Sequence, residues 1–190
     1  MNKKHIKVIF LDIDGVLNGY NKSIKFIADF FYYINKEIWF NDHFDIYKIS
    51  EYKVKLLKEI IDNTGANIVL CSSWRRQLLA KKFVDMSEEK QRLKLLFKKY
   101  YIDIFDGTPY LNPENLREDE IMYWIKNLDS KYLVDKFIIL DDEPSLYPQL
   151  RNDHLVQTSD IYPDEIIRGI CSENSGLKRK HVKKAISLLN

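Results

Sequence analysis

Two pairs of aspartates stand where chemistry is easiest to build. Asp12 and Asp14 lie in Asp12-Ile13-Asp14-Gly15, and Asp141-Asp142 precede Glu143-Pro144. Each pair follows directly on a short apolar run, Ile6 to Leu11 in the first case and Phe137 to Leu140 in the second. A third run, Ile68 to Cys71, ends in Ser72-Ser73-Trp74-Arg75-Arg76. Taken singly, these clusters are a turn, a helix cap and an acidic helix start. If the three runs are neighbouring parallel strands, all three clusters meet at one edge of a sheet. Carboxylates gathered there repel one another and have raised pKa values unless a cation sits among them. With oxygen ligands alone, and no His or Cys in the clusters, Mg²⁺ suits the site better than Zn²⁺. Asp12 and Asp14 are two apart, so an unbroken strand sends both to one face. The strand is expected to give way there, with Gly15 supplying the freedom to turn.

The elements that must carry these residues alternate. The nearly continuous apolar runs suit strands covered on both faces. Glu51 to Asn63 shows helical spacing of Tyr52, Leu56, Leu57, Ile60 and Ile61, and Thr64-Gly65 closes it. Further helices are expected from near Trp74, from Ser87 to Tyr100, from Glu118 to Leu128 and from Leu177 to Leu189. Ile102 to Phe105 and His154 to Gln157 give short additional strands. The pattern predicts a three-layer α/β/α sandwich on a mostly parallel, Rossmann-like sheet, with the ligand crevice at the carboxyl ends of the strands. Asn18 to Ser50 is irregular and aromatic, and is expected to be a small cap or lid (residues 18–50) inserted after the first strand of a single domain covering 1–190.

The wider composition limits the choice of function. With 30 Lys and Arg against 28 Asp and Glu, the formal charge is only +2, which is no footprint of an obligate nucleic-acid coat. The densest basic stretch, Lys178 to Lys184, reads as the solvated face of a terminal helix or as a polyanion contact. The 2 cysteines, Cys71 and Cys171, are too few and too far apart for a metal or redox motif. The four histidines, His5, His43, His154 and His181, are scattered and read as structural or solvent-facing. The start Met-Asn-Lys-Lys-His runs straight into a strand, and no apolar stretch reaches 18 residues. A soluble, cytoplasmic protein with no membrane partner is therefore expected.

The order Asp12-Ile13-Asp14-Gly15-Val16, Ser72 after an apolar strand, a basic residue ahead of a helix, then Asp141-Asp142 resembles the haloacid dehalogenase (HAD) superfamily of phosphohydrolases. Narrower details are similar to the HAD domains of Swiss Army Knife RNA repair proteins: Phe10 to Asn18, Ser72-Ser73-Trp74-Arg75, Arg117 with Glu120-Ile121 and Trp124, and Gly176-Leu177. The resemblance implies that Asp12 is a nucleophile and metal ligand. Asp14 is then general acid and base, with its backbone carbonyl reaching the metal. Ser72 hydrogen-bonds a phosphoryl oxygen, and Asp142 completes the Mg²⁺ shell with Asp141 as a further ligand or a partner of one. Arg117 is the first choice for the phosphate-binding cation, with Arg75 and Lys126 as rivals. Ser73, Arg75 and Asn18 are further substrate-binding candidates.

The implied reaction is Mg²⁺-dependent hydrolysis of a phosphomonoester, a chemistry that needs an in-line nucleophile and compensation of charge on the phosphoryl oxygens. Three alternatives follow for this chain. It is a stand-alone phosphatase of a phosphorylated small molecule or nucleotide, an end-processing phosphatase making a short contact with a nucleic-acid end, or a phosphate-recognising or protein-interaction domain that has lost turnover.

Overall fold

A computed structural model describes residues 3–18, 49–80, 86–112, 114–158 and 176–190. Its centre is strand β1 (Lys4–Leu11), flanked by β2 (Asn67–Leu70) and β4 (Tyr132–Asp141), with β3 (Ile104–Gly107) and β5 (Leu155–Gln157) at the edges. The order is β3-β2-β1-β4-β5, and every pairing is parallel. The sheet is thus wholly parallel rather than mostly so.

Alternation along the strands divides the core into two layers. Ile9, Leu11, Ile68, Leu70, Ile138 and Leu140 face one side. There they meet helices α1 (Glu51–Thr64), α3 (Glu88–Lys99) and α5 (Arg179–Leu189) through Leu57, Ile60, Leu93, Phe97, Val182 and Leu189. Val8, Phe10, Val69, Cys71 and Ile139 face the other side, where α4 (Arg117–Lys126) supplies Ile121 and Trp124. The buried Tyr147, after the short 3₁₀ turn Pro144–Leu146, completes that layer. This is the expected three-layer α/β/α sandwich. Burial on both faces is why the central strands read as continuous apolar runs.

Register puts the polar clusters level. Leu11 pairs with Leu70 on one side and Leu140 on the other, so the residues that follow emerge together at the carboxyl edge. The Asp12 N–H donates to the Leu140 carbonyl at 2.9 Å, and the Cys71 N–H to the Leu11 carbonyl at 3.0 Å.

Gly65, in the left-handed region at φ 67°, closes α1 with its N–H on the Ile61 carbonyl. One difference is instructive: β4 is ten residues long and begins at Tyr132, well before the apolar run Phe137 to Leu140. Its first half is partly exposed, and Asp135 falls at a register shift in the ladder to β1, where Ile6 pairs with Val134 and Lys7 with Lys136. The helix expected from Trp74 is a single turn, α2 (Arg75–Leu78).

Of the proposed 18–50 insert only Asn18, Ile49 and Ser50 are described. The Ser50 N–H donates to the Leu17 carbonyl at 2.9 Å, so the chain leaves the sheet and rejoins it at one point. His43 and Cys171 lie outside the described residues. The other histidines keep structural company: His5 bonds Asp135 at 2.6 Å, His154 stacks on Phe137, and His181 Nδ1 accepts the Lys178 N–H at 3.1 Å. Burial and the neighbouring Lys180, Lys178 and Lys184 lower the His181 pKa to about 4, which keeps it a neutral acceptor. Among the described residues, no helix is long and apolar enough to cross a membrane.

Phe10 is fully buried and packs edge-on against Trp124 and Phe137, with centroids 5.5 and 5.6 Å away. Phe10→Ala is expected to lower unfolding free energy by about 3–5 kcal/mol in urea denaturation, whereas Leu95→Ala, at an exposed position on α3, changes it by less than about 0.5 kcal/mol.

Candidate active site

Three carboxylates converge at the ends of the two central strands. Asp12 follows β1, Asp141 ends β4 and Asp142 comes next, and each offers an oxygen within 4.8 Å of the others'. Asp12 and Asp141 are buried, Asp142 half-buried. Burial first, then Asp141, Asp14 and Asp142, push the Asp12 pKa up to about 7, with Arg117 opposing them.

Arg117, the first residue of α4, reaches into this cluster. Its Nη1 donates to Asp12 Oδ1 and to Asp141 Oδ2, both at 2.8 Å. Burial alone lowers a guanidinium's pKa, but Asp12 and Asp141 reverse that and hold Arg117 firmly charged. Asp119 starts the helix that carries it by accepting the Leu116 N–H at 2.9 Å. Asp141 is held further by the Glu143 N–H on Oδ1 at 2.9 Å and by the Tyr147 hydroxyl on Oδ2. Burial and the nearby Cys71 and Asp141 raise the Tyr147 pKa, so the phenol stays a donor.

The turn after Asp12 is built with little tolerance. Gly15 sits at φ +65°, and a Cβ there would come within 2.3 Å of Asp142 Cγ. Glycine is required both for the backbone angle and for room beside a carboxylate. The Gly15 N–H donates to Asn18 Oδ1 at 2.8 Å, while the Thr158 hydroxyl donates to the Gly15 carbonyl at 2.7 Å. The buried Lys53 donates to the Asn18 carbonyl at 2.6 Å. Asp14 is turned aside from the triplet. Its Oδ1 accepts from Asn18 Nδ2 at 2.8 Å and its Oδ2 from the Trp74 indole N–H at 2.9 Å.

The loop after β2 brings the remaining candidates. Ser72 is fully buried, and its Oγ accepts the Trp74 N–H at 3.2 Å; Ser73 is exposed. Arg75 is buried, and all its N–H groups are engaged by protein. Nε donates to the Thr108 carbonyl and Nη1 to those of Cys71 and Ser72; Nη2 donates to the Pro109 carbonyl and the Glu120 carboxylate. Its donors hold this loop to the β3–α4 loop and to Glu120 of α4. Asn18 likewise spends its amide within the turn, bonding Gly15 and Asp14 rather than pointing to a substrate. Lys126 is exposed in the last turn of α4, nine residues from Arg117 and so roughly 13 Å along the helix. The structure does not bring it to the carboxylates, as it does Arg117.

Tyr147 and Thr158 escaped sequence reasoning, and Trp74 and Glu120 entered it only as marks of the family resemblance, without a role. Trp74 and Thr158 had a usable signal, each being a hydrogen-bonding residue just past an apolar strand. Glu120 had none, because its partner Arg75 lies 45 residues away, and Tyr147, six residues after its partner Asp141, had none in its local sequence.

The donor set fits a hard cation. It is all oxygen, it is crowded enough to raise a carboxylate pKa, and the space beside Asp142 is kept open by a glycine. Residues 8–162 match the family described as the HAD domain in Swiss Army Knife RNA repair proteins. The chain belongs to that family. No curated protein and no solved structure shows significant similarity to it. The match runs from β1 through β5, so its span includes Asp12, Asp14, Ser72, Arg117, Asp141 and Asp142.

The raised Asp12 pKa has a stability consequence. Between its ordinary value of 3.8 and about 7, the folded protein binds a proton that the unfolded chain releases, so metal-free stability falls as pH rises through that window. Asp12→Asn keeps the acceptor for Arg117 and removes the buried charge. It is expected to make metal-free protein more stable at pH 8, by on the order of 2–4 kcal/mol, and to flatten the pH dependence of Tm between pH 4 and 7.

Proposed function

We propose that this HAD domain is a Mg²⁺-dependent phosphohydrolase that cleaves phosphomonoesters through an aspartyl-phosphate on Asp12. The observation that carries this reading is the convergence of Asp12, Asp141 and Asp142 within 4.8 Å, bridged by Arg117 and flanked by a separately held Asp14. Asp12 and Asp142, with the backbone carbonyl of Asp14, are the residues that would hold Mg²⁺. Asp141 closes the cluster while its own oxygens fix Arg117. When bound, the ion compensates the charge of the phosphoryl oxygens.

In this mechanism a carboxylate oxygen of Asp12 attacks phosphorus as the bond to the ester oxygen breaks. Asp14 gives its proton to that leaving oxygen. Water then attacks the phosphorus of the acyl phosphate, Asp14 takes a proton from the water, and the bond to Asp12 breaks to return its carboxylate and release phosphate. Arg117 supports the equatorial charge, since only its Nη1 is engaged among the described residues. Ser72, buried at the end of β2, would hydrogen-bond a phosphoryl oxygen, with the exposed Ser73 beside it. Trp74 and Asn18 position Asp14 from opposite sides, one from each loop.

The same reading makes the chain one domain with residues 18–50 as a cap over the crevice. The bond between Ser50 and Leu17 supports it, because it holds the segment's last residue against Leu17, two residues beyond Gly15. The intact set of carboxylates opposes a silent phosphate-recognising domain. The family's description, which names RNA repair proteins, favours a phosphorylated nucleic-acid end as one substrate. A terminally phosphorylated oligonucleotide that is processed at least 10-fold more efficiently than the matching mononucleotide would support that second reading, and equal or poorer processing would count against it.

Release of phosphate from an aryl phosphate is expected to require Mg²⁺ and to fall by at least about 10³-fold in Asp12→Asn. Asp14→Asn is expected to slow steady turnover by roughly 10²–10⁴-fold while a phosphorylated protein accumulates, visible as an added phosphoryl mass on the intact chain. Undiminished activity in Asp12→Asn would refute the mechanism.

A further inference from the structure

Tyr110 lies in the loop that runs from the end of β3 to Arg117, at the same carboxyl edge as the carboxylates. It is 56% exposed, yet it is fixed at two points. Its hydroxyl donates to the Ser73 carbonyl at 2.9 Å, which ties it to the loop carrying Ser72. One ring face lies 3.5 Å from the Arg75 guanidinium carbon. Arg75 is itself immobile, with every N–H engaged and its ion pair to Glu120 at 2.9 Å. An aromatic ring is thus held rigidly beside the phosphoryl loop with one face covered and the other open to solvent.

Resting on the phosphohydrolase reading above, we propose that Tyr110 is a specificity-determining platform that stacks on a planar ring in the substrate's leaving group, such as the base of a nucleotide. The flat face accepts any π-system without hydrogen-bond readout, and a ring already ordered by Ser73 and Arg75 has little freedom left to lose on binding. Arg75 behind it polarises the ring and blocks the opposite face, so that stacking occurs only on the side open to the crevice. Such a contact is made away from the reacting atoms. It therefore acts on substrate binding rather than on the chemical step.

The test compares three substrates in the full chain with Mg²⁺: a nucleoside 5′-monophosphate, an aryl phosphate and glycerol 2-phosphate. Tyr110→Leu keeps an apolar cover on Arg75 but removes the π face. It is expected to lower kcat/KM for the nucleotide roughly 10- to 100-fold, mainly through KM, and to leave glycerol phosphate within about 2-fold. Tyr110→Phe is expected to retain nucleotide activity within about 3-fold. An equal fall with the aryl phosphate assigns the platform to any ring, and a fall confined to the nucleotide assigns it to a base. An equal loss on glycerol phosphate, or no loss on either planar substrate, overturns the proposal. Absence of phosphate release from all three substrates in the unmodified protein would instead count against the phosphohydrolase reading. Binding in the Asp12→Asn background separates the two without turnover: Tyr110→Leu should weaken the nucleotide and spare inorganic phosphate, and equal weakening of both would overturn the platform.

Discussion

Asp12, Asp141 and Asp142 are forced together by strand register, and their mutual repulsion is the constraint around which the molecule is arranged. Leu11 pairs with both Leu70 and Leu140, so the polar residues that follow have no freedom to separate. Two unit charges 4.8 Å apart cost on the order of 3 kcal/mol at an effective dielectric of 20. Arg117 offsets part of that through one nitrogen shared between Asp12 and Asp141. Burial of Asp12, joined by the repulsion that Arg117 leaves uncompensated, pushes its pKa up to about 7, and a hard divalent cation would relieve that conflict.

The supports around the cluster follow from that tension. Gly15 lets the chain pass beside Asp142, Thr158 ties the turn to the end of β5, and Tyr147 holds Asp141 from beneath the sheet. Asp14 receives different treatment. Its two oxygens each accept a donor, from Asn18 and Trp74, and it stands outside the triplet, which suits the proton-transfer role proposed for it. The buried Arg75–Glu120 pair acts at one remove, joining the β2–α2 and β3–α4 loops so that Ser72, Tyr110 and Arg117 keep fixed relative positions.

Much of this was legible in the residues alone. Apolar runs ending in acids located β1, β2 and β4 and predicted that their ends would meet, because burial on both faces leaves a strong signal. The aspartates and Ser72 were visible for the same reason, whereas Arg117 was singled out only by the family resemblance. The scaffold bonds of Arg75 and Asn18 were not legible, because a polar residue next to a site has two kinds of partner, substrate and scaffold, and local sequence does not distinguish them. Glu120 and Thr108, which capture Arg75, come 45 and 33 residues later. The early half of β4 was hidden because its exposed face is charged, and Tyr147 because its acidic partner is defined only by the fold.

The central claim is that the carboxylate triplet is a cation site whose charge conflict is relieved by binding. Calorimetric titration of Mg²⁺ at pH 6.5 in buffers of different ionisation enthalpy tests it most directly. One ion should bind per chain with release of up to one proton, read from the buffer dependence of the heat, and Asp12→Asn should abolish the proton release while Asp142→Asn weakens binding at least 10-fold. Undetectable Mg²⁺ binding, or binding that is unaffected by both substitutions, would contradict the account.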